Sequence, residues 1–320
     1  MKIEYSRFFS SIFDALRASD VRELLKLTER KRIISFAGGL PDPRVFPKDE
    51  LAEIARQVVE ERGEQALQYS PTPGVSEFRE ELVGFLSRMG VRFREWDEVI
   101  VTTGSQEALY LAALSLIDPG DTVFMEEPGY LAAINLFRAL RARVVPVPVD
   151  GDGMVVEELE ERVRRAVSSG ERVKLVYVNP TSNNPNGTTM PDERRKALLE
   201  VASRYDLLVV EDDPYSYFTF DDAVRFTHIK SMDSEGRVIY LGTFSKILVP
   251  GLRLGWAVAP GEVARRIELL KQIVDLHSST LSQYIALEAI RRGVVKKVID
   301  RAKKVYRRKR DLMLDALEKH

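Results

Sequence analysis

Cysteine is absent from this sequence of 320 residues, and histidine is scarce. Without cysteine the chain has no disulfide bonds, no thiolate nucleophile and no cysteine-ligated metal. The three histidines, His228, His277 and His320, lie far apart in the sequence. They lack the close spacing that metal ligands on one helix or loop show, so we expect no metal site.

Long apolar stretches and an excess of charge of one sign are also missing. No run approaches the length of a membrane-spanning helix, and the amino-terminal stretch lacks the apolar core and cleavage site of a signal peptide. The formal net charge of −1 gives no general attraction to nucleic acid or acidic membranes. The basic run at residues 307–310 has no interleaved aromatic residues, which favours a solvated helix face. We therefore expect a cytoplasmic protein that binds neither nucleic acid nor membrane.

What the sequence does contain is typical of a soluble globular protein, with 44% apolar and 30% charged residues. The length allows more than one domain. High charge, abundant arginine and absent cysteine also suit a thermophile. Through the middle of the chain, short apolar runs alternate with helical patterns. This alternation predicts a three-layer, doubly wound α/β fold, in which helices cover both faces of a mostly parallel sheet.

The pattern also places the individual elements. Strands are expected at residues 98–102, 121–126, 144–149, 173–178, 207–210, 238–241 and 254–259. Helices are expected at residues 11–31, 50–62, 103–117, 157–168 and 191–205, and over most of the chain after residue 260. Ligands of a doubly wound sheet bind where the carboxyl ends of its strands meet. We therefore expect the functional residues in the segments that directly follow the strands.

One such segment, residues 240–256, reads YLGTFSKILVPGLRLGW. Thr243, Ser245 and Lys246 follow an apolar strand, and a proline-glycine turn can bring Arg253 back beside the hydroxyls. Two hydroxyls and a guanidinium form a good cradle for a phosphate dianion. A lysine near another cation and apolar neighbours has a lowered pKa, so part of it is the free amine that can attack an aldehyde. An amine beside a phosphate cradle suits pyridoxal 5′-phosphate.

Here the chain resembles the fold type I pyridoxal-phosphate enzymes, the aspartate aminotransferase superfamily. Within it, the sequence is most similar to the branch of kynurenine/2-aminoadipate and archaeal aromatic aminotransferases, from about Arg22 to the end of the chain. The resemblance implies transfer of an amino group from an aromatic amino acid, 2-aminoadipate or a similar L-amino acid to a 2-oxo acid such as 2-oxoglutarate. Lys246 would hold the cofactor and move a proton between the substrate Cα and the cofactor.

Three alternatives remain open at this point. The same cofactor and fold also serve lyases and decarboxylases, in which only the orientation of the substrate differs. A chain that binds the cofactor but turns nothing over is a second alternative. A cofactor-sensing module of a transcription regulator is a third. Only about forty residues precede the core, which is small for the DNA-binding domain of such a regulator.

The resemblance also assigns residues around the cofactor ring. Asp212, which follows an apolar strand, would pair with the protonated pyridine nitrogen and make the ring an electron sink. Tyr215 and Asn184 would hydrogen-bond the phenolic oxygen. Asp213 competes for the acid role, but the Asp-x-x-Tyr spacing of the family favours Asp212. The family has Asn-Pro-Thr-Gly where this chain has Asn-Pro-Asn-Gly at residues 184–187.

A second phosphate-binding element is expected where a strand turns into a helix, with Ser105 and Gln106 as donors. This segment lacks the three-glycine spacing of a dinucleotide site. The resemblance places Tyr130 on the pyridine ring, although packing within a helix is the simpler alternative. Tyr69 would reach the cofactor phosphate of a second subunit, which implies a homodimer with shared active sites. Otherwise Tyr69 is a half-buried loop aromatic.

Substrate contacts are expected from Gly39, in a paired-glycine loop, from Asn184, and from Arg22, which in this branch can reach the far end of the substrate. A surface helix arginine and a plain turn are the alternatives for Arg22 and Gly39.

Three segments are expected from the resemblance. Residues 1–45 would form an amino-terminal segment of the small domain and a substrate-side loop, and residues 46–290 the large cofactor-binding domain. Residues 291–320 would form an interdomain helix. The helical pattern continues to His320 without a glycine cap, so we expect the rest of the small domain to be missing from this sequence. In the family, that missing part carries the arginine that binds the substrate α-carboxylate.

Overall fold

A mixed β-sheet of eight strands forms the centre of the part of the chain that the structure describes. The computed structural model describes residues 3–14, 38–221 and 224–320. Most of the helix expected at residues 11–31, including Arg22, lies outside the described residues. The strands are β1 (Asp97–Thr102), β2 (Thr122–Glu127), β3 (Arg143–Asp150), β4 (Gly153–Met154), β5 (Val173–Val178), β6 (Leu208–Asp212), β7 (Val238–Thr243) and β8 (Gly255–Pro260).

The strand order across the sheet is β1-β8-β7-β6-β5-β2-β3-β4. Neighbours from β3 to β7 run parallel. Strand β8 is antiparallel to both β1 and β7, and β4 is antiparallel to β3. The predicted strands are confirmed with bounds that differ by at most two residues. Their apolar runs are buried on both faces, as all six residues of β7 show.

The helices outnumber those expected from the sequence. They are α1 (Lys48–Ala66), α2 (Ser76–Arg88), α3 (Ser105–Leu116), α4 (Leu131–Ala139), α5 (Val156–Ser168), α6 (Asp192–Arg204), α7 (Ile229–Met232), α8 (Gly261–Val274), α9 (Thr280–Arg291) and α10 (Val294–Lys319). Short 3₁₀ segments lie at Tyr5–Phe8, Ser11–Asp14, Pro43–Val45, Ser216–Phe218 and Pro250–Leu252. Helices α2, α4 and α7 are additional to the predicted ones. No helix within the described ranges is both long and apolar enough to cross a membrane.

Helices cover both faces of the sheet, which confirms the three-layer α/β prediction. Alternate residues of one strand point to opposite faces. Val123 and Met125 therefore pack with α3, α4 and α8, whereas Phe124 packs with α5 and α6. At the β1 end of the second face, α1, α2, α9 and the first turns of α10 form a third cluster around Trp256. The proposed domain boundaries at residues 45 and 290 stay predictions.

The strand directions bring distant segments to one edge of the sheet. The carboxyl ends of β2, β5, β6 and β7 meet there because these strands are parallel. Strand β8 runs the other way, so its amino end at Gly255 lies at the same edge, paired with Thr243. Strand β1 is antiparallel to β8, and its last residue, Thr102, also pairs with Gly255. Helix α3 therefore begins at this edge too.

Candidate active site

The loop after β7 gathers two hydroxyls and a guanidinium. Thr243 Oγ1 donates to Ser245 Oγ at 3.0 Å. Arg253 Nη1 donates to the same Ser245 Oγ at 3.2 Å and to the Pro250 carbonyl oxygen at 3.2 Å. The turn over Pro250–Leu252 ends at Arg253, whose backbone is left-handed (φ 51°). This turn brings the guanidinium back to the hydroxyls, and a phosphate dianion fits such a group of donors.

Two glycines allow α3 to begin beside this loop. Gly104 has φ 80°, and a Cβ on it would lie 2.5 Å from Arg253 Nη2. A Cβ on Gly255 would lie 2.5 Å from the backbone nitrogen of Ser105. A larger residue at either position would push the helix away. The amino terminus of α3, which favours anions, therefore lies next to the Arg253 guanidinium.

Lys246 lies in the same loop and is half-buried. Its Nζ is 5.7 Å from the centroid of the Tyr215 ring. Burial, and secondly the nearby Arg253 guanidinium, lower the pKa of Lys246 below its ordinary value. A larger part of this lysine is therefore the free amine at neutral pH than of a solvated lysine, and a free amine is what nucleophilic attack on a carbonyl requires.

Asp212 ends β6 and is buried. Its Oδ2 accepts a hydrogen bond from the hydroxyl of Tyr177 at 2.6 Å, whereas Oδ1 has no hydrogen-bond partner among the described residues. Burial raises the pKa of Asp212 to about 6; Asp213 adds to the rise and the Tyr177 hydrogen bond opposes it. A buried acceptor without a partner is costly. The geometry thus leaves one carboxylate oxygen for a donor that a ligand supplies.

Asp213, the alternative acid, makes contacts away from Lys246. Its Oδ2 accepts from the Tyr240 hydroxyl at 2.8 Å and lies 3.3 Å from His228 Nδ1. Its Oδ1 accepts from the backbone N–H of Ser216 at 3.0 Å. Both oxygens of Asp213 are therefore engaged within the chain, in contrast to Asp212.

Asn184 and Tyr215 also meet at this edge. Burial raises the pKa of Tyr215 to about 12, and the Asn184 side chain beside it opposes the rise. The backbone N–H of Asn184 donates to Asn179 Oδ1 at 2.8 Å. Because Lys246 Nζ lies over the Tyr215 ring, the Tyr215 side chain borders the lysine amine.

Gln106 and Tyr130 connect the start of α3 to the segment after β2. The Tyr130 hydroxyl donates to Gln106 Oε1 at 3.2 Å. An open cavity of about 440 Å³ lies on this side of the sheet edge, and Gln106 and Arg253 are among the residues that line it. Lys246 and Asp212 do not line that cavity. It therefore borders the phosphate-like cradle and does not reach the lysine.

Of the remaining predicted site residues, Tyr69 and Gly39 make no described contact with Lys246 or its loop. Tyr69 is 77% exposed, and its ring meets His277 edge-on, with 5.6 Å between ring centroids. Gly39 is exposed, and a Cβ on it would have open space around it. Arg22 lies outside the described residues. The structure of this single chain thus brings neither Tyr69 nor Gly39 to the lysine.

Sequence reasoning missed three buried residues that hold the site together. Tyr177 binds Asp212. Asn179 binds both Asn184 and the Asp212 backbone. Glu126 Oε2 accepts a hydrogen bond from the backbone N–H of Asn179. For Asn179 and Glu126 the available signal was a polar residue at the end of an apolar strand, which is costly to bury without a partner.

These residues fit pyridoxal 5′-phosphate. The unpartnered, buried Oδ1 of Asp212 suits a ring N–H, since such an atom needs a donor. The half-buried Lys246 amine suits an aldehyde. The Thr243, Ser245 and Arg253 donors, together with the glycine-backed start of α3, suit the phosphate.

Comparisons with known proteins give the family. The model of the family described as aminotransferase class I and II matches residues 42–320. The chain is 43% identical to aromatic-amino-acid aminotransferase 1 of Thermococcus litoralis, covering 99% of this chain and 76% of that protein. It is 40% identical to 2-aminoadipate transaminase of Thermus thermophilus, covering 99% and 77%.

A solved structure agrees with both. The kynurenine aminotransferase of Pyrococcus horikoshii, solved in complex with PMP, matches with a TM-score of 0.94 at 44% identity, covering 98% of this chain and 78% of that one. The chain therefore belongs to the aminotransferase class I and II family and is a pyridoxal-phosphate-dependent aminotransferase.

Proposed function

We propose that this aminotransferase takes its amino group from aromatic L-amino acids and from 2-aminoadipate, and passes it to a 2-oxo acid such as 2-oxoglutarate. One observation carries the assignment of the chemistry. A lysine of lowered pKa and a buried carboxylate with one unpartnered oxygen lie at the sheet edge that also holds a phosphate-like cradle. The substrate range is supported by relatives whose names give aromatic amino acids and 2-aminoadipate.

Each residue then has a definite task. The bound cofactor supplies an electron sink that stabilises negative charge developing at the substrate Cα. Lys246 Nζ would hold the cofactor. Once the amino group of the incoming donor takes its place, the freed Lys246 amine would take the proton from the substrate Cα and later give it back. Asp212 Oδ1 holds the proton of the pyridine nitrogen. Tyr215 and Asn184 orient the ring by hydrogen bonds to the phenolic oxygen.

Further groups bind the phosphate and the ring face. We assign the phosphate to the donors of the Lys246 loop and of the α3 amino terminus, and the ring face to Tyr130. Arg22, Gly39 and Asn184 are the proposed substrate contacts. The residues assigned to the phosphate are Ser105, Gln106, Thr243, Ser245 and Arg253.

We also propose a cytoplasmic homodimer with shared active sites. The supporting observation is a set of exposed apolar side chains, Leu67, Tyr69, Ile273 and Leu276, in two segments that the Tyr69–His277 contact brings together. Exposed apolar groups of this kind mark interaction surfaces. Tyr69 meets His277, which follows Asp275 closely, and Asp275 lines the cavity that Arg253 also lines. Because Tyr69 is 77% exposed, it is accessible to the phosphate region of a second copy, and sedimentation equilibrium measures whether that copy is present.

A panel of amino donors tests the proposed substrates. We expect kcat/KM to be highest for aromatic amino acids and 2-aminoadipate with 2-oxoglutarate as acceptor, and one glutamate to form for each donor consumed. A small aliphatic donor such as alanine serves as the comparison. Loss of CO₂ or of ammonia without glutamate formation would instead indicate a decarboxylase or lyase.

Removal of the Tyr177 hydroxyl should change how cofactor binding depends on pH. The hydrogen bond from Tyr177 lowers the pKa of Asp212, which burial raises to about 6. In Tyr177→Phe this pKa rises further. Asp212 therefore becomes protonated, and loses its charge, at a higher pH than in wild type. We expect the midpoint of the acid-side loss of cofactor affinity to move up by about one pH unit.

The measurement is a titration of cofactor into apoprotein at a series of pH values. Tyr205→Phe is the matched control, because its hydroxyl contacts Glu160, a residue on α5, instead of Asp212. Identical midpoints for wild type and Tyr177→Phe would contradict the role given to Asp212.

A further inference from the structure

Glu126 is a buried carboxyl group that the proposed chemistry does not use. It lies near the carboxyl end of β2 and is 2% exposed. Its Oε2 accepts two hydrogen bonds from the loop after β5. One comes from the backbone N–H of Asn179 at 2.9 Å, the other from Asn183 Nδ2 at 2.8 Å. This single oxygen thus satisfies two buried donors.

Asn179 in turn joins the two sides of the cofactor site. Its Oδ1 accepts from the backbone N–H of Asn184 at 2.8 Å, and its Nδ2 donates to the Asp212 carbonyl oxygen at 2.6 Å. Asn183 also donates to the Asn179 carbonyl oxygen at 3.2 Å. The hydrogen bonds therefore run without a gap from Glu126 to the residues assigned to the phenolic oxygen and to the ring nitrogen.

We propose that Glu126 is a positioning residue that fixes the spacing between Asn184 and Asp212 by holding Asn179 and Asn183. This rests on the proposed function, in which Asn184 and Asp212 hold opposite sides of one ring. Glu126 itself does not touch the ring. Its effect is geometric, because a network in a buried, low-dielectric region tolerates little displacement of its members.

The charge state of Glu126 agrees with a role as a hydrogen-bond acceptor. Burial raises its pKa to about 8; the Asn179 and Asn183 hydrogen bonds oppose the rise and the Asp212 carboxylate adds to it. At neutral pH the side chain is therefore largely uncharged. A glutamine, which has the same shape and retains an acceptor oxygen, should replace it.

Two substitutions separate geometry from simple loss of stability. Glu126→Leu fills the space and leaves the Asn179 and Asn183 donors without an acceptor. A smaller residue would admit a water molecule that could accept these hydrogen bonds in place of the carboxylate. We expect the dissociation constant of the cofactor to rise about tenfold and kcat to fall about tenfold, while KM for the amino donor changes less. Glu126→Gln should stay within about twofold of wild type in each quantity.

The control is Val163→Ala, a buried residue of α5 in the cluster with Val176. It should lower the thermal unfolding temperature and leave cofactor affinity and kcat unchanged. The proposal is overturned when folded Glu126→Leu binds cofactor like wild type, or when Glu126→Gln binds cofactor as weakly as Glu126→Leu.

Should Glu126→Leu not fold, Asn183→Ala replaces it. It removes one of the two donors and should weaken cofactor binding about threefold. Wild-type affinity in Asn183→Ala then overturns the proposal.

Borohydride reduction of wild type, followed by peptide mapping, keeps this proposal apart from the proposed function. Cofactor fixed to Lys246 in wild type, with no effect of Glu126→Leu, removes only the role of Glu126. A wild-type protein with no cofactor on Lys246 overturns the proposed function and with it the inference.

Discussion

Replacement of Lys246 by alanine should reduce amino transfer by at least about 10⁴-fold. The variant loses the amine that attaches the cofactor and also the base that removes the Cα proton. Both tasks depend on the lowered pKa that burial and Arg253 give this lysine. Steady-state kcat with a good donor and 2-oxoglutarate measures the loss.

Two comparisons make this result specific. Lys296→Ala removes an exposed lysine that pairs with Asp300, and it should leave kcat unchanged. An added alkyl amine should restore part of the activity of Lys246→Ala, because a free base can then enter the empty space. Wild-type kcat in Lys246→Ala would show that another group removes the proton.

Replacement of Asp212 by asparagine should lower kcat by about 10²- to 10³-fold. Asparagine keeps the shape and can still accept from Tyr177, but it has no negative charge to hold a proton on the ring nitrogen. The ring then withdraws electrons less strongly when charge develops at Cα. The measurement is kcat at saturating cofactor, because weaker cofactor binding then does not affect the result.

Asp213→Asn is the matched comparison for this prediction. Asp213 is equally buried, but its oxygens bind Tyr240 and Ser216. We expect a lower thermal unfolding temperature and a kcat within about tenfold of wild type. A larger loss of kcat in Asp213→Asn than in Asp212→Asn would exchange the roles of the two acids.

Much of the fold was predictable because it follows from local pattern. The strand at residues 173–178 has the predicted bounds, since an apolar run buried on both faces has few alternative structures. Helix α2 was not predicted, because the two prolines and the glycine just before it favour a loop. Its buried residues Phe78, Leu82 and Phe85 nonetheless follow the helical period.

The contacts around the site depend on pairings that one sequence does not contain. Tyr177 has the appearance of a core residue in an apolar run. It meets Asp212, 35 residues away, because β5 and β6 are parallel neighbours. The same holds for Glu126 and Asn179, which meet because β2 lies beside β5. Motif reasoning finds residues that touch a ligand, and the residues behind them require the register of the sheet.

The preference for Asp212 over Asp213 depends on both the sequence spacing and the hydrogen bonds in the structure. The spacing to Tyr215 favoured Asp212, but two adjacent acids cannot be told apart by charge or burial alone. Successive residues of a strand and its extension point to opposite sides. Asp213 accordingly binds Tyr240, whereas Asp212 keeps one oxygen without a partner among the described residues.

A crystal structure of the chain with pyridoxal phosphate tests the central claim most directly. The account predicts one cofactor ring between two side chains, with Lys246 Nζ bonded to the cofactor and Asp212 Oδ1 within about 3 Å of the ring nitrogen. A cofactor bonded to another lysine, or a ring nitrogen out of hydrogen-bond reach of Asp212, would contradict it.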